Sequence, residues 1–488
     1  MNVLLINPSI GYSTRTMNTP LGLLSIGTYL EQFGHKVRFY DRCAERTKLK
    51  TVIKEFSPDI VGISVMSSRG LKDSIAISKE MKNSGLTVVW GGQLPSLQLE
   101  LVIPNDYVDI VSFGEGEETW KELLDRISNN EEIYDVLGIA YKKDGDVVCN
   151  PCRPFTDLGI LPDIDWSLAD PRKYMQQYFG SQKMLYLYSS KGCPGRCAFC
   201  QNVVFHKSTH RKRPNDIVVR EIKYLMENYG MDSVYFSDEL WCTKRSDLQD
   251  FCHRILKERL PLRWGVDLKI GLFNEDDYRL MYQAGCRWIF FGIESGSREM
   301  QRLLHKSINY DKIKPEIELL NRIGFTTIGS FMVGLPDETE DQLRDTARMI
   351  NDIPFGMTPI FHFTPLPGTE LYQRLVEEGK CRVPKSLEEV SHIVATESLG
   401  INYSQVPDRD LKVVKNWFIW KSFTNKTAVN NDKPFEFARQ TILNGLSFIS
   451  KKGILSFFGN GFAALNEFLY VFYYSHMFPK IRKKYGLN

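Results

Sequence analysis

Two series of β-branched segments, each alternating with amphipathic segments, constrain the fold of this 488-residue chain more than any other feature. The first series predicts five strands, at 3–6, 36–40, 59–65, 86–90 and 107–113. Strands that alternate with segments of helical periodicity are typical of βαβ units, which form parallel sheets. The sequence therefore predicts an α/β protein whose amino-terminal part is a doubly wound parallel sheet.

Loops rich in glycine and small polar residues follow four of these strands, at 7–9, 64–68, 91–93 and 114–117. A doubly wound sheet binds its ligand beyond the carboxyl ends of its strands. Glycine lets a large ligand approach the backbone closely. A single loop of this kind is equally typical of a tight turn. Four such loops at one edge favour a ligand site.

The amino-terminal region resembles the cobalamin-binding domain that precedes many radical S-adenosylmethionine domains. The resemblance is carried by these loops, by the segments 20–23 and 34–37, and by the strand ending at Ser64. The resemblance covers about residues 1–130. The cobalamin contacts that it implies are Asn7, Pro8, Leu21, Gly22, Ser64, Met66, Ser67, Arg69, Gly91, Gly92, Gln93, Gly114, Glu115 and Gly116. The chain lacks the Asp-x-His-x-x-Gly triplet with which methionine-synthase-type domains ligate cobalt from below. The resemblance therefore implies that the lower face of cobalamin meets the 66–69 loop without a histidine.

Three cysteines, Cys193, Cys197 and Cys200, follow a predicted strand at 184–188 with the spacing Cys-x3-Cys-x2-Cys. A structural zinc site normally closes with four ligands, often in Cys-x2-Cys pairs. Three thiolates on one short loop instead suit a cubane iron–sulfur cluster with one iron left open. Cys149 and Cys152 form a separate Cys-x2-Cys without a second pair, and we interpret them as connector residues.

This spacing, with the aromatic Phe199 just before the last cysteine, resembles the signature of the radical S-adenosylmethionine superfamily. The resemblance runs from about residue 184 to 380. It implies a [4Fe–4S] cluster whose open iron chelates S-adenosylmethionine, and a one-electron reduction that releases a 5′-deoxyadenosyl radical.

The second series of segments predicts strands at 233–236, 263–267, 288–293, 326–333 and 357–363. Together with the strand at 184–188 they predict a partial (β/α)6 barrel, whose active site lies at the carboxyl ends of its strands. The resemblance implies that three segments after these strands contact S-adenosylmethionine. The first contacts its amino group, the second its ribose and the third its adenine. Their residues are Ser237, Asp238 and Glu239, then Glu294, Ser295 and Gly296, and finally Gly334. Each carboxylate is also typical of a helix N-terminus, where the helix dipole stabilises it.

Beyond about residue 385 the pattern predicts helices, which gives four predicted segments: a cobalamin-binding domain at 1–130, a connector at 131–180, the barrel at 181–385 and a helical region at 386–488. The stretch 454–478 is rich in Phe, Tyr and Leu, but Asn460, Asn466, Glu467 and His476 interrupt it. Their burial in hydrocarbon would be costly, which argues against a membrane span. Two interpretations remain: a helical subdomain that covers the barrel mouth, or an aromatic, basic-flanked surface that touches a membrane or admits an apolar substrate.

The two resemblances together imply a cobalamin-dependent radical S-adenosylmethionine enzyme, and we expect a methyltransferase acting on an unactivated carbon of a small or hydrophobic metabolite. A cyclase, rearrangement or carbon–carbon coupling enzyme is the alternative. A methylthiotransferase needs more cysteines in its first domain than the single Cys43, and a non-catalytic sensor would not need the three-cysteine motif. We expect a one-electron reductant such as flavodoxin or ferredoxin as a partner. The net charge of +3 does not indicate nucleic-acid binding, and the first residues resemble no signal peptide, so we expect a cytoplasmic protein.

Overall fold

The computed structural model describes residues 1–10, 18–66, 68–178, 180–391, 400–424 and 470–487. The chain divides into two compact units. The first unit comprises Met1–Pro194, Gln201–Tyr235 and Leu366–Ala395. The second comprises Gly195–Cys200, Phe236–Pro365 and Thr396–Asn488. Each unit is α/β, as the sequence predicts.

Strands and short helices alternate along most of the described chain. The strands are β1 (Asn2–Asn7), β2 (Lys36–Asp41), β3 (Ile60–Ser64), β4 (Thr87–Gly91), β5 (Ile110–Ser112), β6 (Ile139–Lys143), β7 (Asp146–Cys149), β8 (Gln176–Tyr178), β9 (Ser181–Leu187), β10 (Ser190–Lys191), β11 (Arg211–Lys212), β12 (Ser233–Phe236), β13 (Arg263–Leu268), β14 (Cys286–Glu294), β15 (Thr326–Val333) and β16 (Ile360–His362). The helices are α1 (Leu21–Glu31), α2 (Leu49–Phe56), α3 (Ser68–Asn83), α4 (Gln93–Leu97), α5 (Leu99–Val102), α6 (Glu117–Ser128), α7 (Asn202–Phe205), α8 (Asn215–Tyr229), α9 (Arg245–Lys257), α10 (Glu275–Gln283), α11 (Arg298–Leu303), α12 (Ile313–Ile323), α13 (Glu340–Asp352), α14 (Glu370–Glu377), α15 (Leu387–Ser391), α16 (Asp408–Thr424) and α17 (Pro479–Lys484).

The first sheet has the strand order β2-β1-β3-β4-β5-β6-β7, and its first five strands are parallel. The predicted doubly wound sheet is thereby confirmed. The chain reverses its direction of travel across the sheet between β1 and β3, and such a switch point opens a crevice for a ligand. Gly62 in the middle of β3 leaves room for a helix side chain, because a Cβ there would lie 2.7 Å from Cζ2 of Trp120 on α6.

Two antiparallel strands, β6 and β7, extend this sheet within the region that the sequence predicts as a connector. Asp144 and Gly145 join them, and both have positive φ angles, 53° and 91°. Asp-Gly with positive φ at both positions is typical of a type I′ hairpin turn. The hairpin therefore has a local sequence signal.

All six predicted barrel strands are present. β9 and the first three residues of β12 belong to the first unit. In the second unit, β13, β14, β15 and β16 pair in chain order, and every pair is parallel. Helices α9 to α13 connect or follow these strands, so the carboxyl ends of β13–β16 share one edge.

The carboxy-terminal region of the second unit is helical where it is described, as predicted. Lys484 and Tyr485 anchor the end of the chain to α16, since both side chains lie 2.9 Å from Asp410 Oδ2. Within the described ranges, no helix is both long and apolar enough to cross a membrane. The greater part of the aromatic stretch at 454–478, residues 454–469, lies outside the described residues.

Candidate active site

A two-stranded hairpin leads into the cysteine loop in the first unit. Ser190 and Lys191 in β10 pair with β11, and Gly192 follows with a φ of +85°. A Cβ on Gly192 would lie 2.3 Å from the carbonyl oxygen of Thr209. Only glycine fits this position, so the backbone that presents Cys193 is fixed by close packing as well as by the hairpin.

Partly buried charges join this hairpin to the loop after β5. Two nitrogens of Arg211 lie 3.0 and 2.5 Å from the carboxylate of Glu115. The Lys191 ammonium lies 3.5 Å from Glu115 and 3.0 Å from Glu117. Burial alone would raise the pKa of Glu115, but the hydrogen bond from Arg211 and the charges of Lys191 and Arg211 lower it. Glu115, a predicted cobalamin contact, therefore also ties its loop to the segment before Cys193.

The remaining two cysteines lie in the second unit. The Cys200 amide donates to the Cys197 carbonyl at 3.1 Å, and the Ala198 amide donates to the Leu304 carbonyl at 3.0 Å. These bonds hold the loop against the residues that follow α11. All three motif cysteines are of intermediate exposure, and none of them forms a disulfide. Such a donor set suits iron, because thiolates are soft anionic ligands and partial exposure leaves room for an inorganic cluster.

Lys306 is a functional candidate that the sequence analysis missed. Its ammonium lies 2.8 Å from Oε1 of Glu294 and 6.0 Å from the centre of the Phe199 ring. Burial alone would lower the pKa of Lys306, but Glu294 and the thiols of Cys197 and Cys200 raise it above its ordinary value. The structure therefore places a cation beside two of the cysteines, and this cation pairs with a predicted S-adenosylmethionine contact.

The predicted S-adenosylmethionine segments follow β12, β14 and β15. Asp238 is buried, whereas Ser237 and Glu239 are exposed. Glu294 is buried with a φ of +70°, a strained conformation for a residue with a side chain. Strain of this kind clusters at functional sites.

Ser295 and Gly296 pack against α13. The Gly296 amide donates to Thr346 Oγ1 at 3.0 Å, and a Cβ on Gly296 would lie 2.5 Å from the Thr346 Cα. Gly296 thus allows close packing, while Ser295 is fully buried. Gly334 has a φ of +75°, and its amide donates to Oε2 of Glu338 at 2.8 Å.

Glu338 is a fully buried carboxyl group on the loop after β15. Its Oε1 atom has no hydrogen-bond partner among the described residues. Burial raises the pKa of Glu338 to about 8, although the Gly334 and Leu335 amides act in the opposite direction. The group is therefore protonated at neutral pH.

The raised pKa of Glu338 predicts a pH-dependent stability. The neutral acid is favoured in the folded state, so its contribution is fully present below the ordinary pKa of 4.5 and is lost as pH rises through about 8. The maximal slope for one group is about 1.4 kcal/mol per pH unit. We expect Glu338→Gln to flatten the fall of the melting temperature across this window, and Asp337→Asn next to it to leave the fall unchanged. Equal slopes in all three proteins would contradict this assignment.

The predicted cobalamin contacts lie around the carboxyl edge of the first sheet. Ser64 and Gly91 pair at the ends of β3 and β4. Met66 is 59% exposed. Gly92 has a φ of +103°, and a Cβ there would lie 2.9 Å from the Val65 carbonyl oxygen. An exposed thioether beside a loop that only glycine can form suits the flat face of a large ring ligand.

The other predicted cobalamin contacts have varied surroundings. Asn7 donates to Asp41 at 2.9 Å, and Pro8 is buried. Gly116 packs against Ile26, and Gly114 has a φ of +77° with open space at its Cβ position. Leu21 and Gln93 begin α1 and α4, and Gly22 is exposed. Ser67 and the side chain of Arg69 lie outside the described residues.

Family models match both regions of the chain. The model of the radical SAM superfamily matches residues 187–350, and that of the B12 binding domain matches residues 11–124. The chain is 30% identical over 386 residues to a relative described as "Uncharacterized methyltransferase PH0819" of Pyrococcus horikoshii, covering 76% of this chain and 83% of the relative. This chain belongs to the cobalamin-binding radical S-adenosylmethionine family.

Two further similarities agree with this membership. The anaerobic magnesium-protoporphyrin IX monomethyl ester cyclase of Rubrivivax gelatinosus is 26% identical over 441 residues, which cover 87% of this chain and 78% of the cyclase. The structure of the radical S-adenosylmethionine methyltransferase TsrM from Kitasatospora setae, with cobalamin and a [4Fe–4S] cluster bound, has a TM-score of 0.69 at 17% identity. It covers 91% of this chain and 99% of TsrM, and it shows a shared fold.

As a member of this family, the enzyme has a [4Fe–4S] cluster, S-adenosylmethionine and cobalamin as its cofactors. The predicted family, fold class and cofactors are confirmed. The contacts of individual side chains with the cofactors stay predictions.

Proposed function

We propose that this enzyme is a methyltransferase that methylates an unactivated carbon of a small or hydrophobic metabolite. When bound, the cluster and S-adenosylmethionine supply a 5′-deoxyadenosyl radical, and cobalamin supplies the methyl group. Such a reaction needs the two cofactor sites to be held in fixed relation. The observation that carries the proposal is the partly buried link in the first unit, in which Glu115 bonds Arg211 and lies beside Lys191, two residues before Cys193.

We assign the side chains of the site as follows. Cys193, Cys197 and Cys200 hold the cluster through their thiolates. Lys306 keeps a positive charge beside two of them and orients Glu294 through their 2.8 Å contact. The remaining predicted contacts, among them Asp238 and Gly334, bind S-adenosylmethionine, and the loops around Met66 and Gly92 bind cobalamin.

Ring formation or carbon–carbon coupling without methyl transfer is the second candidate. The similarity to the Rubrivivax gelatinosus cyclase, which covers 87% of this chain, favours it. Both candidates share the cofactors, so only the mass of the product separates them.

The deciding experiment uses the full chain, purified without oxygen, reconstituted with iron and sulfide and supplied with hydroxocobalamin. We expect about four irons and one cobalt per chain. The loaded enzyme is then incubated with a metabolite extract, a one-electron reductant and S-adenosylmethionine that carries a trideuteromethyl group. A product that gains this group supports the methyltransferase. A product that forms together with 5′-deoxyadenosine but lacks this group would favour the second candidate.

We further propose a cytoplasmic enzyme that receives its electron from flavodoxin or ferredoxin and has no nucleic-acid partner. Exposed large hydrophobic side chains next to exposed lysines support peripheral contact with a membrane. Phe472, Tyr473 and Met477 are 39%, 50% and 55% exposed, and Lys480 and Lys483 follow them. Flotation with anionic vesicles tests the contact, and a protein that stays at the bottom of the gradient would argue against it.

A further inference from the structure

The carboxylate of Asp41 lies at the carboxyl edge of the first sheet, next to the last residue of β1. Asp41 ends β2 and pairs with Asn7 in the parallel register of β1 and β2. The sheet reverses its direction between β1 and β3, so Asn7 stands beside the switch point where a doubly wound sheet binds its ligand. Asp41 is 4% exposed, whereas Asn7 is only half-buried. A buried acid therefore lies directly beside a more accessible amide.

The side chain of Asp41 accepts hydrogen bonds on both of its oxygens. Its Oδ1 atom accepts from the backbone amides of Cys43 and Ala44, at 2.8 and 3.2 Å. Its Oδ2 atom accepts from the side-chain amide of Asn7 at 2.9 Å and from the Tyr174 hydroxyl at 3.1 Å. Burial and the charge of Asp41 raise the pKa of Tyr174 above its ordinary value, so this hydroxyl keeps its proton. Together these donors fill the acceptor positions of a carboxylate.

This arrangement fixes the direction in which the amide of Asn7 points. A carboxylate can only accept, so the NH₂ group of Asn7 faces Asp41 and its Oδ1 atom faces away. Within the described part of the chain, Oδ1 of Asn7 accepts no hydrogen bond. A ligand that binds over the end of β1 therefore meets an acceptor at this position, and not a donor.

Cobalamin carries complementary groups. The propionamide side chains of its corrin ring project from the lower face, which is the face expected to meet this domain, and each ends in an amide with N–H donors. We propose that Asn7 accepts a hydrogen bond from one of these propionamides, and that Asp41 is the positioning residue that holds Asn7 in the accepting orientation. The pair thereby selects the amide of cobalamin against the corresponding acid. This inference rests on the proposed function only in that cobalamin is placed at this edge.

The test measures the binding of hydroxocobalamin and of its propionamide monoacids, in each of which one propionamide has become a carboxylate. Binding to the reconstituted full-length protein is followed by calorimetry, without substrate or reductant. A carboxylate opposite Oδ1 of Asn7 offers no donor and leaves two acceptors facing each other. We expect at least one monoacid to bind at least about tenfold more weakly than hydroxocobalamin.

Asp41→Asn is expected to cancel or reverse this discrimination. The backbone amides of Cys43 and Ala44 retain the oxygen of the new side chain, so its NH₂ group takes the place of Oδ2 and donates to Asn7. The Asn7 amide then turns over and presents a donor, which suits a carboxylate. Loss of a merely structural acid would weaken the binding of amide and acid alike, without changing their ratio. Asn7→Ala should cancel the discrimination and also lower the affinity for hydroxocobalamin.

Asp59→Asn is the matched control. The Asp59 carboxylate accepts from the Asn2 backbone amide at 2.6 Å, at the amino end of β1. The substitution therefore removes the same charge beside the same strand, at the edge away from the ligand. We expect it to keep the discrimination of the wild type. Circular dichroism of each variant checks its fold.

Two results would overturn the inference. One is a wild-type protein that binds every monoacid as tightly as hydroxocobalamin, and the other is wild-type discrimination in folded Asp41→Asn or Asn7→Ala. A wild-type protein that binds no cobalamin would overturn both this inference and the proposed function. Binding is measured without turnover, so a failed methyl-transfer experiment leaves this result standing.

Discussion

Cys197→Ala is expected to lose the iron–sulfur cluster and to lose cleavage of S-adenosylmethionine below detection. The cluster has three protein thiolates, and an alanine leaves a second iron without a ligand. The three cysteines are the only residues of the Cys-x3-Cys-x2-Cys loop that can bind iron as soft anions, so no neighbouring side chain replaces the lost thiolate. Iron content, the visible absorbance of the reconstituted protein and the yield of 5′-deoxyadenosine measure the effect.

Cys381→Ala is the matched control for this substitution. Cys381 is likewise of intermediate exposure and forms no disulfide, but it lies far along the chain from the motif. We expect it to keep the iron content and deoxyadenosine yield of the wild type. A Cys197→Ala protein with wild-type iron would refute the assignment of the cluster to this loop.

Lys306→Met is expected to make the cluster harder to reduce. Reduction adds a negative charge, which a neighbouring ammonium stabilises, so removal of Lys306 shifts the reduction potential to more negative values. A loss of about 1.4 kcal/mol corresponds to about 60 mV for a one-electron couple. The substitution also leaves the buried Glu294 carboxylate without its cation, at a cost of about 3–5 kcal/mol in folding stability. Redox titration followed by electron paramagnetic resonance measures the potential directly.

Lys306→Arg separates charge from packing. It keeps the cation near Glu294, so we expect most of the wild-type potential to return. Lys306→Met combined with Glu294→Gln removes the unpaired carboxylate and should recover stability without restoring the potential. A folded Lys306→Met protein with the wild-type potential would show that the cation does not act on the cluster.

The strands of both sheets could be predicted because their sequence pattern is local. β-branched runs between amphipathic helices identify β1 to β5 and the six barrel strands within a few residues. The hairpin of β6 and β7 was missed, although Asp144 and Gly145 carry its turn signal, because its strands are short and lie among residues interpreted as a connector. Helix α16 could not be mistaken for a strand, because it is longer than strands usually are.

The site could be predicted only where a motif carries it. Cys193, Cys197 and Cys200 are recognisable from their spacing alone. Lys306 and Asp41 have no sequence signal, because their roles depend on contacts made after folding: one follows α11 and returns to the cysteine loop, and the other accepts a hydrogen bond from Asn7. For Glu115 the sequence predicts a ligand contact, and the ion pair with Arg211, 96 residues away, could not be foreseen.

The ion pairs of Glu115 bear on how the enzyme matures. The carboxylate belongs to a loop expected to contact cobalamin, and its cationic neighbour Lys191 precedes Cys193 by two residues. A movement of that loop when cobalamin binds would change the charges around the segment that carries Cys193. Thermodynamic coupling between two binding steps is reciprocal, so assembly of the cluster would then change the affinity for cobalamin by the same factor. The binding of cobalamin and the assembly of the cluster would accordingly not be independent of one another.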